Sequence, residues 1–352
     1  MTVGAGDATP ALVGDRLYVF TRQGEDEITR CLNAADGKEL WQDKYAAQAV
    51  TGAAARQHPG PRSSPAVADG KVITLGVGGV LSCLDAASGK VVWRKDPFSK
   101  VVPRFFTATS PIIVDGMVIA HLGGEGNGAL IAFDLASGNE KWRWAAEGPA
   151  YASPVLMTVD GTKQVVTLTE KSVVGISTAE GKLLWQIPFP VSGMSYNAAT
   201  PIVSGTTVIF TGQGRGTKAV KIEKQGDVFA FKDLWSNPQA WVKFNTPVLK
   251  DGLVFGFSEG GNLFCLDAKT GKTDWTDAAK RAAGFAAILD VGSSLLVLPS
   301  DGELIAFKPS DKEFAELAKF KVADTATYAH PVVAGKRIFV KDQNSVTLWT
   351  LP

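Results

Sequence analysis

Cysteine is scarce in this sequence. There are three, Cys31, Cys83 and Cys265, and no two are adjacent, so the chain has no vicinal pair and no disulfide framework. Histidine is as rare, and His58, His121 and His330 stand far outside metal-ligand spacing. An excess of charge is missing too: 36 basic against 35 acidic side chains leave a formal net charge of +1. A nucleic-acid binder neutralises phosphates with surplus Lys and Arg, and this balance argues against that class. No apolar run reaches the roughly 18 residues that a membrane-spanning helix requires. The opening residues 1–7 have neither the basic nor the apolar region of an export signal, and none is expected within the chain. Helical periodicity is hard to find; residues 311–319 are the one stretch expected to form a short helical turn.

What is abundant is glycine, at 37 residues, and tryptophan, at 9, and the two recur in register. Residues 84–93 read Leu-Asp-Ala-Ala-Ser-Gly-Lys-Val-Val-Trp, and residues 266–275 read Leu-Asp-Ala-Lys-Thr-Gly-Lys-Thr-Asp-Trp. The phrase returns at residues 32–41, 133–142 and 176–185. A hydroxyl residue followed by proline marks each copy: Thr9-Pro10, Ser64-Pro65, Ser110-Pro111, Ser153-Pro154, Thr200-Pro201 and Thr246-Pro247, with His330-Pro331 as a variant. These prolines lie 55, 46, 43, 47 and 46 residues apart up to Pro247. The 84 residues from there to Pro331 hold two copies, with Ala287 expected where one proline is lost. Eight copies of mean length 44 result, a period that must be explained before anything else is read.

Each copy is β in pattern. In one of them Asp251-Gly252 joins two short apolar runs, Gly260-Gly261 leads into a third at residues 263–266, and the next turn opens a fourth that carries Trp275. Four strands per copy and eight copies predict an all-β fold, an eight-bladed β-propeller of four-stranded antiparallel blades, as one domain over residues 1–352. A flat indole at the same place on each outer strand wedges between adjacent sheets, so Trp41, Trp93, Trp142, Trp185, Trp235 and Trp275 are expected to be structural docking residues. The three cysteines each precede such a tryptophan by ten residues and are expected to be core positions. Blade seven, with Glu316 in place of the tryptophan, is expected to be the least regular. Blade eight has three strands at the chain's end, so its fourth must come from the start. Projecting the tightest Trp-to-Pro spacing of 12 back from Pro10 puts the docking position ahead of Met1. Residues 1–4 are therefore expected to complete that strand only in part, leaving an open edge and closure mainly by packing.

The Asp-x-x-x-Gly-Lys-x-x-Trp phrase in an eight-bladed pattern resembles the PQQ-like (quinoprotein-like) repeats, over essentially the whole chain. WD40 repeats would end each blade in Trp-Asp and kelch repeats would carry a Gly-Gly doublet with partner aromatics; neither fits. The resemblance implies one of two things: a pyrroloquinoline-quinone-dependent dehydrogenase of alcohols or sugars, with quinone and Ca²⁺, or a non-enzymatic scaffold such as the outer-membrane assembly lipoprotein. The enzymes of this family hold Ca²⁺ with grouped Glu and Asn, and the larger ones have an adjacent-cysteine disulfide. Here Glu170, Glu259, Asp301 and Asp342 stand isolated and no Cys-Cys pair exists. The expected function is a binding or protein-interaction scaffold without a cofactor, with the dehydrogenase as the alternative. Family resemblance also implies an extracytoplasmic location, in the periplasm or cell envelope.

Propeller geometry sorts the loops. The tight Asp-Gly and Ser-Gly turns between first and second and between third and fourth strands share one face. The blade-to-blade loops and the turns between second and third strands share the other, and those loops are where binding is expected. From the turns come Arg22, His121, Glu170, Lys171, Arg215, Lys341 and Asp342. The inter-blade loops supply Arg56, His58, Arg62, Arg104, Tyr151, Tyr196, Asn197, Asn245 and His330, with Tyr328 beside the last. Residues 56–62 form the longest insertion, basic and stiffened by proline; residues 212–218 are Gly-rich and basic but lack phosphate-loop spacing. A protein, a small molecule or a sugar is the expected partner at this face, and a monomer is the expected state.

Overall fold

The computed structural model describes residues 1–52, 56–99, 101–191, 196–282 and 284–351. Its strands form eight antiparallel sheets, seven of four strands and one of three, the eight-bladed β-propeller that the repeat predicts. The chain divides into two compact units. One comprises Met1–Pro149 and Pro331–Pro352, which is blades one, two, three and eight; the other, Ala150–His330, is blades four to seven.

Within each unit the core lies between neighbouring sheets. Ile73, Leu75 and Leu81 of blade two face Val118, Ala120, Leu122 and Ile131 of blade three, with Trp93 among them. Blades six and seven meet in the same way through Phe255, Phe257, Leu295, Val297 and Phe307. The docking tryptophans finish these layers. Trp41 Nε1 donates to Ala86 O (3.2 Å), Trp93 to Leu135 O (3.0 Å), Trp235 to Ala268 O (2.8 Å) and Trp275 to Ser310 O (2.8 Å). The acceptor is each time a backbone carbonyl in the following blade, so one bond satisfies the indole while its ring is buried. Trp185 departs from the pattern: its Nε1 bonds Gln164 Oε1 (2.5 Å) in its own blade.

The two sequence phrases have distinct causes. In Asp-x-x-Ser/Thr-Gly the carboxylate closes the turn: Asp85 Oδ1 accepts from Ser88 N and Oγ (2.9 and 2.7 Å), and Asp267 Oδ1 accepts from Thr270 N and Oγ1 (2.7 and 2.6 Å). These bonds hold both carboxyls below the usual range. The glycine that follows serves a second purpose. Gly271 has φ +71°, and a Cβ there would stand 2.3 Å from the ring of Trp235; Gly89 and Gly138 face Trp41 and Trp93 in the same manner. The hydroxyl before proline latches neighbouring inner strands. Thr9 N donates to Ser64 Oγ and Ser64 N to Ser110 Oγ, both at 3.0 Å. In the other unit Ser153 N donates to Thr200 Oγ1 (3.2 Å) and Thr200 N to Thr246 Oγ1 (3.1 Å).

Strand register corrects two assignments in blade seven. Cys265 pairs with Trp275 across a bulge, and the matching pair in blade seven is Ala306 with Ala318. Ala318 therefore stands at the tryptophan position, and Glu316 lies two residues ahead, because the preceding turn is longer. By the same register Leu289 matches Val248, so Ile288 replaces the proline and Ala287 replaces the latching hydroxyl. The blade is nonetheless a regular four-stranded sheet, with Phe314 packed on Trp275 and Phe307 at 6.3 and 5.4 Å between centroids. The stretch expected to be helical is instead a turn leading into the strand Ala315–Lys321. Pairing with the preceding strand, Glu303–Lys308, outweighs local helix preference there.

Residues 1–4 complete blade eight in part: its sheet has three strands, and Thr2 adds a single bridge to Ser345. Met1 exchanges both backbone hydrogen bonds with Val346, each at 2.9 Å, and Val3 and Gly4 donate to Asn344 O (2.7 and 3.1 Å). Backbone pairing thus joins packing in closing this blade. The cysteines are buried and unpaired, and burial pushes Cys83 up to about 11 and Cys265 up to about 12. They are packing residues opposite tryptophans, not reactive thiols.

Candidate functional site: an aromatic ridge held by loop clamps

In the unit of blades four to seven, the turns between second and third strands meet the inter-blade loops. Arg215 lies in one such turn. Its guanidinium donates to Phe189 O (3.0 Å), Pro190 O (3.2 Å) and Tyr196 O (3.1 Å) and sits 4.0 Å over the Phe189 ring. Burial pulls its pKa down to about 10. The basic Gly-rich turn is therefore a clamp on the inter-blade loop that precedes its blade, and a Cβ on Gly212 would stand 2.3 Å from the guanidinium. Asn197 Nδ2 donates to Thr169 O (2.9 Å) and Phe189 O (3.2 Å), and Asn245 Nδ2 to Phe257 O (2.8 Å). Both asparagines tie loops to strand ends. Lys243 and Glu259 form an ion pair at 2.5 Å, and Glu170 pairs with exposed Lys171 at 3.3 Å. His330 is half-buried, and burial holds its imidazole below the usual range.

What these clamps position is aromatic. Tyr151, Tyr196, Phe244, Phe285 and Tyr328 follow one another with centroid separations of 5.9, 5.7, 4.6 and 5.0 Å. Phe244 and Phe285 are parallel to within 6°. Every ring of the series is partly exposed, Phe244 by 36%. One ring from each loop thus builds a continuous ridge across four blades. Sequence reasoning picked out Tyr151, Tyr196 and Tyr328 but missed Phe244 and Phe285. A signal was present: Tyr151, Phe244 and Tyr328 each stand three residues ahead of a first-strand proline, and Phe285 stands three ahead of Ile288.

The corresponding loops of the other unit are held by cations. Arg22 donates to Gly24 O (3.1 Å) and Gln48 O (2.9 Å). Arg62 donates to Phe105 O and to His58 O, and His58 Nδ1 meets Asp7 Oδ2 at 2.6 Å. Buried His121 bonds Glu147 O through Nε2 (3.1 Å). Lys341 is 1% exposed; its ammonium donates to Asp342 O (2.5 Å) and Gln343 O (3.2 Å), and burial brings its pKa down to about 8. The Asp342 carboxylate accepts from Asn344 N and Ser345 N (3.0 and 2.7 Å). Arg56 and Arg104 are exposed, with Arg104 5.5 Å over the Phe105 ring.

Glu27 is the most deeply buried carboxyl of this unit, at 1% exposure. It accepts from Tyr45 OH (2.5 Å) and Val77 N (2.9 Å). Burial raises its pKa above the ordinary 4.5, with both hydrogen bonds opposing. A raised folded-state pKa makes stability greatest below the unfolded value and erodes it as pH climbs through the folded one. Glu27→Gln, which keeps both contacts, is expected to remove that step. Denaturant midpoints measured from pH 4 to 8 should fall in the parent and stay flat in the variant over this window.

A quinone with Ca²⁺ needs grouped carboxylate and amide oxygens. Among the described residues no three His, Cys, Asp or Glu side chains converge on one point. The isolated carboxylates are already engaged: Glu259 with Lys243, Glu170 with Lys171, Asp342 and Asp301 with backbone N–H groups. Asn197 and Asn245 give their amide N–H groups to loop carbonyls; their side-chain oxygens carry no hydrogen bond, but no cluster of three acidic, His or Cys side chains gathers beside them among the described residues. The donor set does not fit the cofactor, and no redox step is derived through it.

Comparison with known proteins agrees with this geometry. The sequence profile of the family described as outer membrane protein assembly factor BamB matches residues 24–277. The chain belongs to the BamB family. A curated BamB from Moranella endobia is 23% identical over 361 residues, covering 97% of this chain and 85% of that protein. The crystal structure of BamB from Moraxella catarrhalis superposes with a TM-score of 0.75 at 16% identity, over 100% of this chain and 99% of that one, which shows the same fold. Methanol dehydrogenase subunit 1 from Methylorubrum extorquens is 27% identical over 154 residues, only 41% of this chain and 24% of that protein. BamB relatives thus match along the whole propeller, the dehydrogenase along part of it.

Proposed function

We propose that this chain is a non-catalytic propeller that holds another protein against its loop-rich face, with the aromatic ridge of blades four to seven as the centre of contact. The observation that carries this reading is the ridge itself: five partly exposed rings, one per loop, held in place by buried hydrogen bonds. Aromatic anchors on a preorganised frame are the usual energetic centres of protein interfaces. Stacking of Phe244 on Phe285 occupies ring faces that a sugar would need, which favours a protein over a carbohydrate. Lys171 is an exposed cation of the same unit that would tune the rim. The family name adds the setting, assembly of outer membrane proteins in the cell envelope.

The test is site-specific photocrosslinking in an envelope fraction. With p-benzoylphenylalanine at Phe244, one discrete envelope protein is expected in the adduct. With it at Lys269, an exposed turn residue remote from the ridge, no such adduct is expected. Phe244→Ala together with Tyr196→Ala should weaken binding of the captured protein by about tenfold or more. Adducts from Lys269 and none from Phe244 would place the contact on the other face.

A further inference from the structure

In blade two, pairing of the third and fourth strands ends one step past the bulge, at Leu84 and Val91. Blade five runs on. Its strands Gly216–Gln225 and Val228–Asn237 stay paired beyond the bulge as far as Gln225 and Val228. The neighbouring strand Thr207–Gly212 accompanies them only to Lys221. Residues 222–231 are therefore a two-stranded ribbon, marginal by itself until a third strand or a packed face supports it. Phe229 and Ile222 rest on the core of blade four. Along the outer strand Val228, Phe231 and Leu234 remain 68%, 40% and 43% exposed.

The turn fixes which way the backbone points. Gln225 and Val228 flank Gly226-Asp227, and Gly226 has φ +60°. Residues that flank a two-residue turn bond to each other, and direction alternates from there. Val228, Ala230 and Lys232 thus bond inward, while Phe229, Phe231 and Asp233 turn their N–H and C=O groups to the outer edge. Among the described residues no strand pairs with that edge.

Two such edges can pair antiparallel about a two-fold axis, and alternation lets the axis fall on a residue but not between two. On Lys232 it would oppose two ammonium groups, and on Asp233 two carboxylates. On Phe229 or Ala230 it would leave Leu234 past the end of the partner's strand, and on Leu234 or beyond it would leave Val228 uncovered. Phe231 is the remaining centre. There Phe231 meets its own copy, Val228 meets the partner's Leu234, and no like charges stand opposite. Ala230 lies between Glu223 and the partner's Lys232, and is small enough for that lysine to reach over it to the carboxylate.

We propose that this edge joins two copies of the chain, paired antiparallel about a two-fold axis at Phe231 into a four-stranded sheet. The dimer replaces the monomer expected from the sequence and uses no residue of the aromatic ridge. Being isologous, it closes at two copies. One register buries all three exposed apolar side chains against themselves, which assigns the edge to a second copy rather than to a foreign strand.

Sedimentation velocity of the full chain between about 1 and 100 μM should show a monomer–dimer equilibrium. Phe231→Asp and Phe231→Lys, each setting like charges across the axis, should weaken the dimer by about tenfold or more at an unchanged thermal midpoint. An equimolar mixture of the two variants should pair again, which general damage to the strand would not allow. Oxidation of Phe231→Cys should link two copies, since facing residues of a bonded pair have Cα atoms about 5.5 Å apart, within disulfide reach. The native cysteines are buried and do not compete. Ala230→Cys and Lys232→Cys should link about tenfold more slowly. A parent chain that stays monomeric would overturn the proposal, as would a dimer that Phe231→Asp leaves intact, a mixture that fails to pair, or equal linking at the three positions. A monomeric parent whose Phe231→Cys variant is captured by one envelope protein would give the edge to a foreign strand instead.

Discussion

Trp93→Ala is expected to cost about 3–5 kcal/mol of stability, the range for removing a buried indole from a core. Trp93 is 7% exposed, and its ring joins the layer between blades two and three. Its removal opens a cavity lined by residues of both sheets and takes away the N–H that Leu135 O accepts. Trp93→Phe should recover much of the packing but not that hydrogen bond, and so lie between parent and alanine variant. Leu317→Ala is the matched surface control: Leu317 is 59% exposed, and its loss should stay within about 0.5 kcal/mol. Urea midpoints on the three variants decide the matter. Near-equal losses for Trp93→Ala and Leu317→Ala would mean that the tryptophan is not an inter-blade wedge.

The second large effect is at the glycine that faces a neighbouring indole. Gly271→Ala is expected to destabilise by about 2–5 kcal/mol, from two causes. At φ +71° an alanine is strained, and its Cβ would stand 2.3 Å from the Trp235 ring. Gly205 separates the two causes, because its φ is +57° while nothing lies within 4 Å of an added Cβ. Gly205→Ala should therefore show backbone strain alone, about 1–2 kcal/mol. The difference between the two variants measures the seat. If it vanishes in a Trp235→Ala background, the indole is its source, as a double-mutant cycle requires. If it persists there, the cost lies in the turn and not in the contact between blades.

Both experiments concern features that repeat, and repetition is why so much of the fold was legible. The Asp, Gly and Trp of each copy are local to one turn and one strand, so a single sequence displays them several times over. The Asp-Gly turns are another instance. Asp115 and Gly116 both adopt positive φ, as do Asp251 and Gly252, the requirement of the two-residue hairpin turns that those pairs suggested. Blade seven was misread for the converse reason. Its turn is longer and its markers are gone, so only the pairing of Ala306 with Ala318 could set the register.

The loop side was legible in outline and not in role. Arg22, Arg62 and Arg215 read as binding candidates, since sequence gives their charge but not what lies within reach. In the folded chain their guanidinium groups are largely occupied by loop carbonyls. Asn197 and Asn245 read as binding candidates, and their amide N–H groups fasten the loops beside them. Phe244 and Phe285 looked like ordinary apolar loop residues until stacking joined them to three tyrosines of other loops.

The sequence by itself determined the number of blades, the strand count within them, the glycine-bearing turns and the tryptophan positions. Each of these depends on residues a few places apart. Only the tertiary structure decided what crosses from one blade to the next. The hydroxyl latch from Ser64 to Ser110 spans 46 residues, the indole bond from Trp93 to Leu135 spans 42, and each ring contact of the ridge joins two separate loops. Such contacts depend on the distance and angle between sheets, which packing of their apolar faces sets and no local pattern encodes.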